Sequence, residues 1–140
     1  MIYLLDTNVI SELRKTKTRR IDLRVEAWEK SVSASEMFLS VVSVFELEKE
    51  ILLVERRDPA QGRILRTWMT DHVLSGFAGR MLPIDLDVIR RCAALHVPNP
   101  RPERDALIAA TALVHGMTVV TRNVRDFEPM GVTVLNPWEW

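Results

Sequence analysis

The stretch Met1-Ile2-Tyr3-Leu4-Leu5-Asp6-Thr7-Asn8-Val9-Ile10-Ser11-Glu12-Leu13 sets the frame for the whole chain. Its first half is apolar and almost uninterrupted, the pattern of a short strand buried on both faces. Asp6 closes that run, and Asn8 to Leu13 predicts a helix with Thr7 or Asn8 as its cap. A doubly buried strand that turns directly into a helix belongs to a parallel sheet covered by helices.

Further along the chain the same alternation recurs. Residues 21 to 32 predict a helix with Ile21, Val25, Trp28 and Val32 on one stripe, after a basic stretch at 14 to 20 that reads as a loop. Met37 to Val42 predicts a second strand, Ser43 to Arg57 a helix stopped by Asp58-Pro59, and Pro59 to Leu74 another helix. A third strand is expected at Arg80 to Ile84 and a helix at Leu86 to Val97, followed by a proline-rich connection at 98 to 102. Glu103 to His115 predicts a helix closed by Gly116, and strands are expected at Thr118 to Thr121 and Val132 to Leu135. The expected architecture is α/β, a single domain over residues 1–140. Its central, mainly parallel sheet would have about five strands, flanked by helices on both faces.

Composition narrows the function. The 140 residues balance 19 basic against 19 acidic side chains, so net charge alone announces no nucleic-acid binder. The basic residues are nevertheless clustered. Arg14, Lys15, Lys17, Arg19 and Arg20 form one run, and Arg56, Arg57, Arg63 and Arg66 a second. Either could grip phosphate oxygens or be a solvated helix face. Cys92 is the single cysteine, which excludes an internal disulfide. The first residues lack the basic region and longer apolar stretch of a signal peptide, and no apolar run nears the ~20 residues that span a bilayer. The expectation is a soluble cytoplasmic protein with no membrane partner.

Four acids fall where strands end or helices begin. Asp6 ends an apolar strand, where a charge is costly unless paired, bound to metal or used as a cap. Asp105 lies in the first turn of the 103–115 helix, off the polar stripe of Arg104, Thr111 and His115 and beside Ala109 and Ala112. Asp126 follows the 118–121 strand, and its interest is positional. Glu46 is ambiguous. Ser43-Val44-Phe45-Glu46 fits a capping box, and on a helical wheel Glu46 joins Lys49, Glu50 and Arg57. Glu48 lies nearer the apolar stripe, beside Val44, Ile51 and Leu52, so periodicity does not choose between the two. Ligands of open α/β sheets bind outside the carboxyl ends of the strands, and acids converging there suit one or two Mg²⁺ ions. His72, His96 and His115 have no metal-ligand spacing, Cys92 reads as a packed small side chain, and no glycine-rich phosphate loop is present.

These residues resemble a family. Leu4-Leu5-Asp6-Thr7-Asn8-Val9-Ile10-Ser11-Glu12-Leu13 is similar to the first motif of PIN-domain proteins. Ser43-Val44-Phe45-Glu46-Leu47 is similar to the second, Asp105-Ala106-Leu107-Ile108-Ala109-Ala110-Thr111-Ala112 to the third and Thr121-Arg122-Asn123-Val124-Arg125-Asp126-Phe127 to the fourth. The closing Leu135-Asn136-Pro137-Trp138-Glu139 resembles the ending of VapC toxins, especially their FitB-like branch. The resemblance implies a PIN-like fold and a Mg²⁺- or Mn²⁺-dependent ribonuclease, the toxin of a toxin–antitoxin pair. Its expected partners are an RNA substrate, a cognate antitoxin that blocks the site, and a second copy in a homodimer that joins a higher assembly with the antitoxin. By motif match it assigns the catalytic and metal-binding roles to Asp6, Glu46, Asp105 and Asp126, thereby preferring Glu46 to Glu48. It gives supporting roles to Asn8, Thr121 and Asn123.

Two rivals remain on sequence grounds. An aspartyl-phosphate phosphatase wants a second acid two residues after the first, where Asn8 stands. A non-catalytic module could use the same acids to hold a structural metal or a partner's arginine.

Overall fold

The computed structural model describes all 140 residues. Strand β1 (Tyr3–Leu5) lies at the middle of a five-stranded sheet, between β2 (Met37–Ser40) and β4 (Thr118–Val120). The short strands β3 (Met81–Leu82) and β5 (Val134–Leu135) form the edges, and the order is β3-β2-β1-β4-β5 with every pairing parallel. The chain therefore winds outward from β1 to β3, then crosses back to place β4 on the other side of β1. That reversal puts a crevice at the carboxyl ends of β1 and β4.

Side chains alternate across the sheet and both faces are apolar. Leu4 and Val119 enter one buried cluster with Val88, Cys92, Ala109 and Phe127, under α5 (Leu86–Leu95) and α6 (Glu103–His115). Leu5, Leu39 and Val120 enter the opposite cluster with Val9, Trp28 and Ile51. That second face is covered by α1 (Thr7–Leu13), α2 (Leu23–Ser31), α3 (Val41–Arg57) and α4 (Pro59–Trp68). No helix is long and apolar enough to cross a membrane.

Several boundaries differ from the sequence reading, each for a local reason. The second strand stops at Ser40, not Val42, because the Ser40 hydroxyl accepts the Val42 N–H at 3.0 Å and caps α3. The capping box read at Ser43 to Glu46 therefore does not exist, since Ser43 lies inside the helix and is fully buried. The third strand ends at Leu82 because Pro83 has no N–H for the ladder. Residues 14–18, read as a loop, form a 3₁₀ turn in which the Thr16 and Thr18 hydroxyls donate back to Leu13 and Lys15 carbonyls. The helix that starts at Pro59 is α-helical only to Trp68 and continues as a π turn over Met69–Leu74. The fifth strand is two residues long, and Val124–Phe127, expected as loop, is a short helix, α7. Gly116 closes α6 in the left-handed region at φ 66°, as its position predicted.

Candidate metal centre

Asp6 stands one residue beyond β1, and its N–H still donates to the Val120 carbonyl at 2.9 Å, so the ladder itself fixes its backbone. Its carboxylate has no solvent exposure. A buried charge needs several partners, and Asp6 has them. Oδ1 accepts the Thr7 N–H at 2.7 Å, which also caps α1. Oδ2 accepts the hydroxyl of Thr121, the residue after β4, at 2.7 Å. The Asn8 amide lies 3.4 Å from Oδ2 and 3.4 Å from Thr121 Oγ1. The cap and the charged site, alternatives on sequence grounds, are one and the same residue.

The remaining acids arrive from other elements. Glu46 is in the second turn of α3, and its Oε1 lies 2.5 Å from the Thr7 hydroxyl. Asp105 is in the first turn of α6 and nearly buried. Burial pushes its carboxyl above the ordinary range, Arg104 opposes that shift, and the charges of Asp126 and Asp6 add to it. Asp126, on α7, is exposed and hydrogen-bonds to none of the other acids. It acts on Asp105 through its charge alone. Asn123 contributes its backbone N–H, which donates to Thr121 Oγ1 at 3.0 Å.

Two residues of this cluster went unnoticed in the sequence. The sequence offers Thr7 as a helix cap, yet its hydroxyl bridges toward Glu46 and lies 2.9 Å from Ser43 Oγ. Arg104 was placed on the polar face of α6 with Thr111 and His115. That stripe does not face solvent, for Thr111 is fully buried and bonds to the Leu107 carbonyl at 2.8 Å. Arg104 turns instead into the acids. Its Nε donates to Glu46 Oε2 at 2.6 Å, its Nη1 to Asp105 Oδ1 at 2.8 Å, and its Nη2 to Asp6 Oδ1. Burial alone would favour losing its proton, but the bonds to Glu46, Asp6 and Asp105 prevail and hold the guanidinium more firmly charged than a free arginine. The available signal was Pro102 just ahead of the helix, which places residues 103–105 in the first turn, at the strand ends.

Glu48 lies elsewhere. Both its carboxylate oxygens accept from Arg66 Nη1 at 2.8 Å, and Arg66 also binds Glu55 at 3.1 Å. Arg66 is thus committed to two carboxylates, which removes it from the second basic run as a free phosphate ligand. Glu48→Gln is expected to leave RNA cleavage within about twofold and to cost at most about 1 kcal/mol, as exposed ion pairs do. Glu46→Gln is expected to lower cleavage by about tenfold or more. Parallel rate assays on the two variants check the pair.

The first basic run lies at the other end of α1 from Asp6, roughly 10 Å away at helical rise. There Arg14 stacks over Trp68 at 5.7 Å, and Lys17 meets His72 at 3.0 Å. Cys92 is packed in the core, and burial raises its thiol, as suits an inert side chain.

The donor set suits a hard divalent cation. Three carboxylates from three elements already converge on one positive group, the Arg104 guanidinium. All their atoms facing the cation are oxygens, the ligand type that Mg²⁺ and Mn²⁺ prefer. As placed, no three acidic, histidine or cysteine side chains form a group that could hold an ion, and the Arg104 guanidinium lies among Asp6, Glu46 and Asp105.

Comparison with known proteins bears on the family and the fold. The PIN domain family model matches residues 3–131. VapC ribonuclease Y4jK of Sinorhizobium fredii is 38% identical over 143 aligned residues, covering 97% of this chain and 97% of that protein. Toxin FitB of Neisseria gonorrhoeae is 36% identical, covering 96% and 97%. The crystal structure of FitAcB from Neisseria gonorrhoeae superposes with a TM-score of 0.89 at 33% identity, covering 99% of this chain and 100% of that one.

Proposed function

This chain belongs to the PIN-domain family, and we infer that it is a ribonuclease acting as the toxin of a toxin–antitoxin pair. The observation that carries the reading is the meeting of Asp6, Glu46 and Asp105 around a single positive charge at the switch point of the sheet. Neither a thiol nor an aspartyl-phosphate route fits the crevice. Cys92 is buried in the core, and the position two residues after Asp6, which an aspartyl-phosphate mechanism needs as an acid, is Asn8. A bound divalent cation would instead supply an activated water as the nucleophile at phosphorus.

We assign the cation to Mg²⁺ or Mn²⁺. When bound, such an ion supplies a water of lowered pKa and charge stabilisation at the scissile phosphate. Asp6 and Asp105 would hold it. Thr121 and Asn8 fix the rotamer of Asp6 and hold one of its oxygens, Oδ2, as Thr7 does for Glu46, so that each carboxylate keeps a defined direction. Glu46, less buried than the other two, would position the ion or take a proton from the attacking water. Asp126 would support the outer side of the site, and Asn123 would order it through its own backbone N–H, which donates to the Thr121 hydroxyl. The basic run at 14–20 would guide the RNA backbone.

The domain would span residues 1–140 and work in the cytoplasm, where its RNA substrate is found. Exposed apolar side chains on α3 and α4, among them Phe45, Leu52, Leu53 and Ile64, offer the surface that a homodimer and the cognate antitoxin would cover. Induced expression in a bacterial host is expected to arrest growth. Coexpression of the cognate antitoxin, or replacement of Asp6 and Asp105 by alanine, should relieve the arrest. Arrest that persists in both alanine variants would point to a binding module instead of a nuclease.

A further inference from the structure

We propose that Arg104 is a built-in counter-ion of the acidic site, which the activating cation must displace before Asp6 and Asp105 can bind it. The inference rests on the metal reading above and adds the residue that limits it. Arginine is suited to the part. Its planar fork presents separate donors, and here Nε, Nη1 and Nη2 each take a different carboxylate. A surface ion pair uses one partner at a time, whereas this side chain is claimed by three, from β1's end, α3 and α6.

Guanidinium and divalent ion exclude one another. Asp6 Oδ1 and Asp105 Oδ1 both point at Arg104, and no three acids form a group that could hold an ion, with the guanidinium lying among them. Two positive groups a few ångströms apart repel, so an ion arriving at Asp6 expels the fork. An exit exists. The Arg104 side chain keeps 32% of its exposure and lies beside an open hollow lined by Phe45, Glu46, Lys49 and Leu107. Without the guanidinium, the Asp6 charge would stay buried against Asp105 with only hydroxyl and amide donors to balance it. The contact therefore stabilises the metal-free protein and lowers its apparent affinity for the ion, as any competing occupied state does.

The test is calorimetric titration of the purified full-length chain with Mn²⁺. Wild type would be compared with Arg104→Ala, with Arg104→Gln, which keeps amide donors in place of the charge, and with Asp6→Asn. The expected result is an affinity for Mn²⁺ about tenfold or more higher in both Arg104 variants than in wild type. Equal or weaker binding by those variants overturns the displacement and leaves the metal assignment standing. Wild type binding no better than Asp6→Asn overturns the metal assignment, and the displacement with it. A second measurement needs no variant. In ¹⁵N-labelled wild type, the Arg104 Nε–H resonance should move to the position of a solvated arginine as Mg²⁺ is added. A resonance unmoved at Mg²⁺ saturation overturns the proposal.

Discussion

Asp6→Asn is expected to lower RNA cleavage by at least about a hundredfold, while the protein stays folded. Losing an outer partner of a metal ligand typically costs about 10–100-fold, and Asp6 is proposed as the ligand itself. Asparagine isolates the charge from the shape. Its side-chain oxygen can still accept the Thr7 N–H and cap α1, so the helix should survive. The Thr121 hydroxyl, which now donates to Asp6 Oδ2, can rotate to accept from the new amide. What disappears is the negative charge at the crevice floor. Steady-state cleavage rates alongside circular dichroism of the same preparations check both halves of the expectation. A folded variant with wild-type rates would remove Asp6 from the site.

Trp28→Ala is expected to destabilise the fold by about 3–5 kcal/mol, the range for deleting a large buried aromatic. Trp28 has no solvent exposure. It sits on α2, meets the Tyr3 ring edge-on at 5.5 Å and 89°, and shares its cluster with Leu5, Val9 and Val120. Domains of this kind hold only about 5–15 kcal/mol in total, so the loss is a large share. The indole Nε1 makes no hydrogen bond within the protein, so the apolar body of the ring supplies the stability. Trp28→Phe should accordingly cost much less than alanine. Tyr3 and Leu5 are in β1, the strand that ends in Asp6, so loosening this cluster should also loosen the site. Urea unfolding of the three proteins, with midpoint and slope compared, gives the answer.

The centre of the fold could be read in the sequence because its signals are local. An apolar run that stops at Asp6 and turns into a helix names its own structure, and Trp28 and Gly116 fell where periodicity and cap chemistry put them. Boundaries were misplaced where one side chain outweighed propensity. Val41 and Val42 favour a strand, yet Ser40 caps a helix there, and Pro83 cuts short the strand before it. The same Ser40 explains why Glu46 was ambiguous. With the true cap three residues earlier, Glu46 is free to face Thr7 and Arg104, while Glu48 is held by Arg66.

The order of the strands was not legible from any single segment. It depends on which strand crosses back beside β1, a long-range choice, and that choice brings Thr121 to Asp6 across 115 positions. Arg104 was hidden for a related reason. Helical periodicity separates the polar faces of α6 from the apolar ones, but it does not say that the first turn abuts two other acids. The resemblance to PIN-domain proteins supplied the grouping of acids, and it carried no information about the arginine placed among them.

RNA cleavage by this acidic crevice is expected to depend on a divalent cation. The most direct measurement follows a short single-stranded RNA with the purified chain while Mg²⁺ or Mn²⁺ is titrated in, and then removed with EDTA. Metal-dependent catalysis here requires cleavage that rises with either ion, stops with EDTA and resumes when the ion is restored. Cleavage by the same preparation that continues undiminished in EDTA would contradict it.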